Sequence, residues 1–146
     1  MRVSSIVFVI ALGFTASACD EKLSDVAGPS PNLQPTFSSI QRDIFSATDS
    51  AGRAACTQCH SGATPASGLT LGGATTYNEL VNVVSNRKPG AIRVIPGNPD
   101  DSYLVQKLEG RSDIVGQRMP RTGGPYLTAG QMSIIRRWIA LGAKND

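Results

Sequence analysis

Aromatic side chains are scarce, making up 5% of the 146 residues. So few large rings leave two options: a bulky group other than side chains fills the centre, or the fold is loop-rich with a modest core. Histidine occurs once, as His60, and cysteine three times. The net charge of +3 is small. Lys and Arg nowhere form a run interleaved with aromatics, which argues against a groove that tracks nucleic-acid phosphates. The basic pairs Arg87-Lys88 and Arg136-Arg137 read as solvated faces, with docking to an acidic protein partner as the lesser alternative. No internal repeat is present, and no segment alternates as a strand should. Asp and Glu are scattered, and no nucleophile is paired with a base in a way that marks an enzyme. The one apolar run, Ile6 to Phe14, is too short to span a bilayer comfortably.

That run has another use. Arg2 precedes it and Ala16-Ser17-Ala18 follows, the layout of an export signal over residues 1–18. Cys19 comes next, as in a bacterial lipoprotein signal, where the cysteine is acylated and becomes the new N-terminus. A plain secretory signal cut at the same bond is the alternative, and Ala16 stands where lipoprotein signals prefer Leu. Residues 19–35 are polar and rich in Pro and Ser, and read as a lipid-anchored linker. As a coil it would span about 22 Å, and fully extended about 50 Å. One domain, residues 36–146, is expected beyond it.

Within that domain the pattern predicts an all-α fold of about four helices joined by long loops. The first covers Phe37 to Ala47, capped by Thr36, with Phe37, Ile40 and Ile44 at helical spacing. Thr76 and Glu79 form a capping box for the second, whose apolar stripe is Tyr77, Leu80, Val81 and Val84. Asn98 caps the third, with Pro99 in first position and Asp100 and Asp101 at the positive helix start. Its Tyr103, Leu104 and Leu108 face inward and Gly110 ends it. The fourth starts at Thr128 with Gln131 completing a box; Met132, Ile135, Trp138 and Ile139 are its buried stripe and Gly142 its stop. The loops Ser61–Ala74, Ser85–Gly97 and Arg111–Leu127 are long for a compact domain, as befits chain wrapped around a cofactor.

The chemistry concentrates in Cys56-Thr57-Gln58-Cys59-His60. C-x-x-C-H is a haem attachment signature. Thiols three residues apart lie on one side of a helical turn, so each can bond one vinyl group of one porphyrin. The next imidazole is then held against the iron. Zinc wants four Cys or His ligands, which are lacking here; a thioredoxin-like pair wants a βαβ pattern, also lacking. A disulfide between Cys56 and Cys59 would leave His60 unexplained. Lipid on Cys19 and haem on Cys56 and Cys59 account for every thiol. A second axial ligand must come from elsewhere than histidine. Met119 lies in a loop stiffened by Pro120, whereas Met132 sits on a helix stripe where a core role is the default. Met119 is therefore favoured, with Met132 and an open sixth position as the alternatives.

The order C-x-x-C-H, Met-Pro loop and closing amphipathic helix resembles small class I monohaem cytochromes c, in particular the planctomycete-type variant. Further shared stretches are Ser67-Gly68-Leu69-Thr70-Leu71, Val94-Ile95-Pro96-Gly97-Asn98-Pro99, Ser102-Tyr103-Leu104, Arg118-Met119-Pro120 and Trp138-Ile139-Ala140-Leu141-Gly142-Ala143. The resemblance spans about Phe37 to Ala143. It implies one covalent haem c on Cys56 and Cys59, with His60 as proximal and Met119 as distal iron ligand. It also implies that the first and last helices pack together beside the haem. The segment Ser46 to Ala55 is longer than the family's usual spacing. The expected role is a single-electron carrier and not an enzyme, and the signal preceding Cys19 adds the expectation that lipid on Cys19 holds it on the periplasmic side of a membrane. Its partners would be redox proteins, in particular membrane oxidoreductases. Alternatives are a haem enzyme or gas sensor with an open iron site, and a haem subunit of a larger complex.

Overall fold

The computed structural model describes residues 32–146. The expected export signal, Cys19 and most of the linker lie outside the described residues. Among those residues the fold is all-α, with four α-helices and no sheet. No helix there is long and apolar enough to cross a membrane.

Helix α1 (Phe37–Ile40) starts as its sequence directs: Thr36 Oγ1 accepts the Ser39 N–H at 3.3 Å. It runs on into a π-type turn, Gln41–Phe45, closed by Ser46 N–H to Gln41 O at 3.0 Å. The helical chain thus ends before Ala47. The wider turn lets the adjacent Ile44 and Phe45 both be buried. The packed part of the chain also includes residues before Thr36. Leu33, assigned above to the linker, is buried in the core, and the Gln34 N–H donates to Ser39 Oγ.

Helix α2 (Thr76–Leu80) is one turn shorter at its end than its stripe suggested, and its capping box does not form. Thr75 is the cap residue; its side chain caps no backbone N–H, and its hydroxyl donates to Glu79 Oε1 at 3.5 Å. The Glu79 carboxylate instead accepts the Thr70 N–H at 2.7 Å, and Thr76 Oγ1 is buried without a partner. Val81 leaves the helix in extended conformation and Val84 is exposed. The three β-branched valines of Val81-Asn82-Val83-Val84 disfavour helix. Its backbone is also taken by the 91–94 segment, through Asn82 N–H to Val94 O (2.9 Å) and Arg93 N–H to Val83 O (2.7 Å).

Helix α3 (Tyr103–Glu109) begins four residues later than Asn98-Pro99 predicts. Asn98 closes a separate turn, its Oδ1 accepting Asp101 N–H at 3.2 Å. Buried Ser102 is the cap residue, with its hydroxyl donating to Asn98 O. The first helical N–H groups are satisfied by main chain: Tyr103 donates to Ile92 O and Leu104 to Arg93 O, both at 2.9 Å. Gly110, at φ 73°, ends the helix in the left-handed conformation that glycine adopts without strain.

Helix α4 (Ala129–Ala140) carries the predicted capping box, with Gln131 N–H to Thr128 Oγ1 (3.1 Å) and Thr128 N–H to Gln131 Oε1 (3.0 Å). Ile135, Trp138 and Ile139 are fully buried, whereas Met132 is only half-buried. Trp138 packs on Phe37 of α1 at 5.7 Å between ring centroids, and Phe37 meets Tyr77 of α2 edge-on at 5.3 Å. The last residues bind this cluster together. Trp138 Nε1 donates to Lys144 O, Tyr77 OH to Ala143 O, and the Phe37 N–H to the Asp146 carboxylate. First and last helices therefore meet at one aromatic cluster. On the other side of the core, the long loops enclose a cavity.

Candidate functional site

Cys56–Gln58 is a single 3₁₀ turn, closed by the Cys59 N–H to Cys56 O at 3.2 Å. In such a turn side chains at i and i+3 eclipse, so Cys56 and Cys59 stand on one side. Both line a cavity of about 840 Å³, within the range of ligand pockets. Cys56 is half-buried and Cys59 exposed.

His60 lines the same cavity. Its Nδ1 donates to Leu69 O at 3.2 Å, which leaves Nε2 as the ring atom with a free lone pair. Burial holds the ring below its ordinary basicity, against the opposing pull of the Leu69 and Ala66 carbonyls. Burial favours the neutral imidazole, the form that ligates, and the Leu69 bond sets its tautomer. The Leu71 N–H to His60 O bond, at 2.7 Å, anchors the following loop to the motif.

Met119 reaches the cavity from the 111–127 loop. Its N–H donates to Lys107 O at 2.9 Å, tying the loop to α3, and its peptide bond to Pro120 is cis. Met132 is elsewhere. It borders a shallow depression on α4 with Pro99 and Arg136, and does not line the cavity. Four residues singled out from sequence, Cys56, Cys59, His60 and Met119, therefore converge on one cavity, and the competing methionine is excluded from it. The remaining wall is largely apolar, including Phe45, Leu69, Leu71, Leu80, Leu104 and Leu108. Among the described residues no three His, Cys, Asp or Glu side chains cluster as ligands for a bare metal ion.

Two arginines in the wall were not legible as site residues. Arg53 is 1% exposed and organises the long Ser46–Ala55 segment. Its Nε pairs with Asp49 at 3.1 Å, Nη2 donates to Ile44 O and Ala47 O, and Nη1 to Ala54 O. Nη1 also lies 3.9 Å from Cys56 Sγ. Burial pushes the Cys56 thiol up in pKa, and the Arg53 charge opposes this. Arg93 is 7% exposed and interrupts the apolar run Ile92–Ile95. A lone charge inside such a run is the signal that points to a buried arginine.

No family model, curated protein or solved structure matches this chain.

Proposed function

We propose that the cavity holds one haem c, bound through thioethers on Cys56 and Cys59. His60 Nε2 would be the proximal iron ligand and Met119 Sδ the distal one. The observation that carries this reading is the convergence of two thiols, an imidazole and a thioether on one apolar-walled cavity. These donors fit a porphyrin iron: imidazole with thioether is a known axial pair, and thiols anchor the ring covalently. A zinc site would need further ligands that the cavity wall lacks. The likeness of the motifs to class I monohaem cytochromes c supports the same reading.

Bound haem supplies a one-electron change at its iron. The chain's own residues set how that change is used. His60 and Met119 would fill both axial positions, favouring electron transfer over substrate binding. The Leu69 carbonyl holds the His60 ring in its ligating tautomer. The apolar part of the wall would limit water around the bound group, and a thioether ligand would raise its potential. We assign the protein as a single-electron carrier on the periplasmic side of a membrane, tethered by lipid on Cys19 and serving membrane-bound redox partners.

Exchange of the two methionines tests the assignment. Met119→Ala should abolish the weak long-wavelength charge-transfer band of methionine-ligated ferric haem and admit carbon monoxide. Met132→Leu should change neither, and cost less than about 1.5 kcal/mol in stability. The opposite pattern would reverse the ligand assignment. Ready carbon monoxide binding by the unmodified protein would favour an enzyme or sensor over a carrier.

A further inference from the structure

The 111–127 loop brings Met119 to the cavity, yet no helix or strand of its own holds it. Its conformation is fixed from outside, by one face of α3. Tyr103 and Lys107 stand one turn apart on that face. Tyr103 OH accepts the Val115 N–H at 3.0 Å. Lys107 Nζ donates to Val115 O at 3.1 Å and to Gln117 O, and Lys107 O accepts the Met119 N–H at 2.9 Å. Residues 115, 117 and 119 are thus each bonded to α3, and Lys107 makes three of the four bonds. Arg118 closes the seam from the other side. Its Nε donates to Leu108 O at 2.7 Å, and its guanidinium lies 3.8 Å from the centre of the Tyr126 ring. Gly110 leaves room for it, since a Cβ there would stand 2.7 Å from Arg118 Cδ.

No acid accounts for the position of the Lys107 ammonium. Among the described residues it pairs with no carboxylate. The cavity wall around it includes Arg87 and Arg121 but no Asp or Glu. A lysine ordinarily keeps its ammonium in water and its side chain free to move. Here that freedom is lost to two carbonyls of the loop. Holding a loop in the conformation that presents its ligand raises the effective concentration of that ligand at its site.

We propose that Lys107 and Tyr103 form a latch that holds the Met119 thioether at the iron, so that α3 sets how often the sixth position opens. This rests on the haem reading above and adds to it the residues that keep the distal ligand in place. Both are positioning residues, because they act through the backbone of the loop and not on the iron.

The test uses the full chain exported in a host that matures c-type cytochromes, with Lys107→Leu, Lys107→Arg, Tyr103→Phe and Arg87→Gln. Two rates are read: displacement of methionine from the ferric iron by saturating imidazole, and hydrogen exchange of the Val115 and Met119 amides. Lys107→Leu should raise both about tenfold, the size expected from losing hydrogen bonds to a charged group. Lys107→Arg, which keeps charge and donors, should recover most of the difference. Arg87→Gln removes an exposed cavity cation whose side chain is bonded to no described part of the loop, and should change neither rate. Unmoved rates in Lys107→Leu, or an equal rise in Arg87→Gln, overturn the proposal. If Lys107→Leu is not recovered as folded protein, Tyr103→Phe decides. It removes only the acceptor of the Val115 N–H, and unmoved exchange at Val115 overturns the proposal. An unmodified ferric protein whose iron lacks methionine is a different failure, because it removes the distal ligand of the haem reading and this proposal with it.

Discussion

Asp49 and Arg53 carry much of the structural burden near the C-x-x-C-H motif. Their side chains are 4% and 1% exposed, and together they fold the Ser46–Ala55 segment back under α1. Removing one partner of a buried pair strands the other charge. Asp49→Ala should therefore lower unfolding free energy by about 3 kcal/mol in urea titration. A loss under about 0.5 kcal/mol, the range of ordinary surface changes, would show that Arg53 is satisfied by its carbonyls alone. At this scale the sequence was uneven. The C-x-x-C-H motif and Met119 announce themselves by residue type and spacing. Arg53 does not, because whether an arginine is buried depends on which carbonyls and acids the fold brings to it, and Arg93 is marked only by the apolar run that it interrupts.

Among the elements, α4 was the most legible and α2 the least. Thr128 and Gln131 meet in a local box that needs no tertiary partner, so pattern and structure agree. Thr128→Ala should cost about 1 kcal/mol, measurable by thermal or urea unfolding. The Thr76–Glu79 pair has the same signature, yet Glu79 serves Thr70 instead. For α3, main-chain carbonyls of Ile92 and Arg93 replace the side-chain cap that Asn98 seemed to offer. Both differences arise from long-range contacts that a local pattern does not contain.

A surface network joins α3, the Asn98–Asp101 turn and α4. Asp100 pairs with Arg136 at 2.6 Å and Arg111 at 3.2 Å, and both arginines also pair with Glu109 at 2.8 Å. Hydrogen bonds from Arg136, then from Arg111, hold the Asp100 carboxyl below its ordinary value. Lys88 does the same to Asp113. A carboxyl depressed on folding adds stability above its unfolded pKa, near about 4, and that share is lost as pH falls through the lower folded value. The melting temperature should thus decline below about pH 4. Arg136→Gln should flatten that acid limb. An unchanged limb would assign the acid sensitivity to other carboxylates.

On the scale of the whole molecule, the shortage of aromatic residues acquires a physical meaning. The large side chains Phe37, Tyr77 and Trp138 gather on one side of the core, where the two end helices and the last residues meet. The other side is a cavity walled by Phe45, Leu80 and Leu108 and entered by the long loops. A haem there would complete the core, so the haem-free double variant Cys56→Ser, Cys59→Ser should melt at lower temperature and bind a hydrophobic dye. A variant as stable as the unmodified protein would mean that the cavity wall needs no guest.

The central claim is that one haem is covalently held by Cys56 and Cys59. Its most direct test is denaturing electrophoresis of the mature protein, exported in a host competent for cytochrome c maturation, followed by haem staining. The account predicts a band at the chain's mass that keeps its haem after boiling, and loses it in the Cys56→Ser, Cys59→Ser variant. A colourless band of correctly processed protein would contradict it.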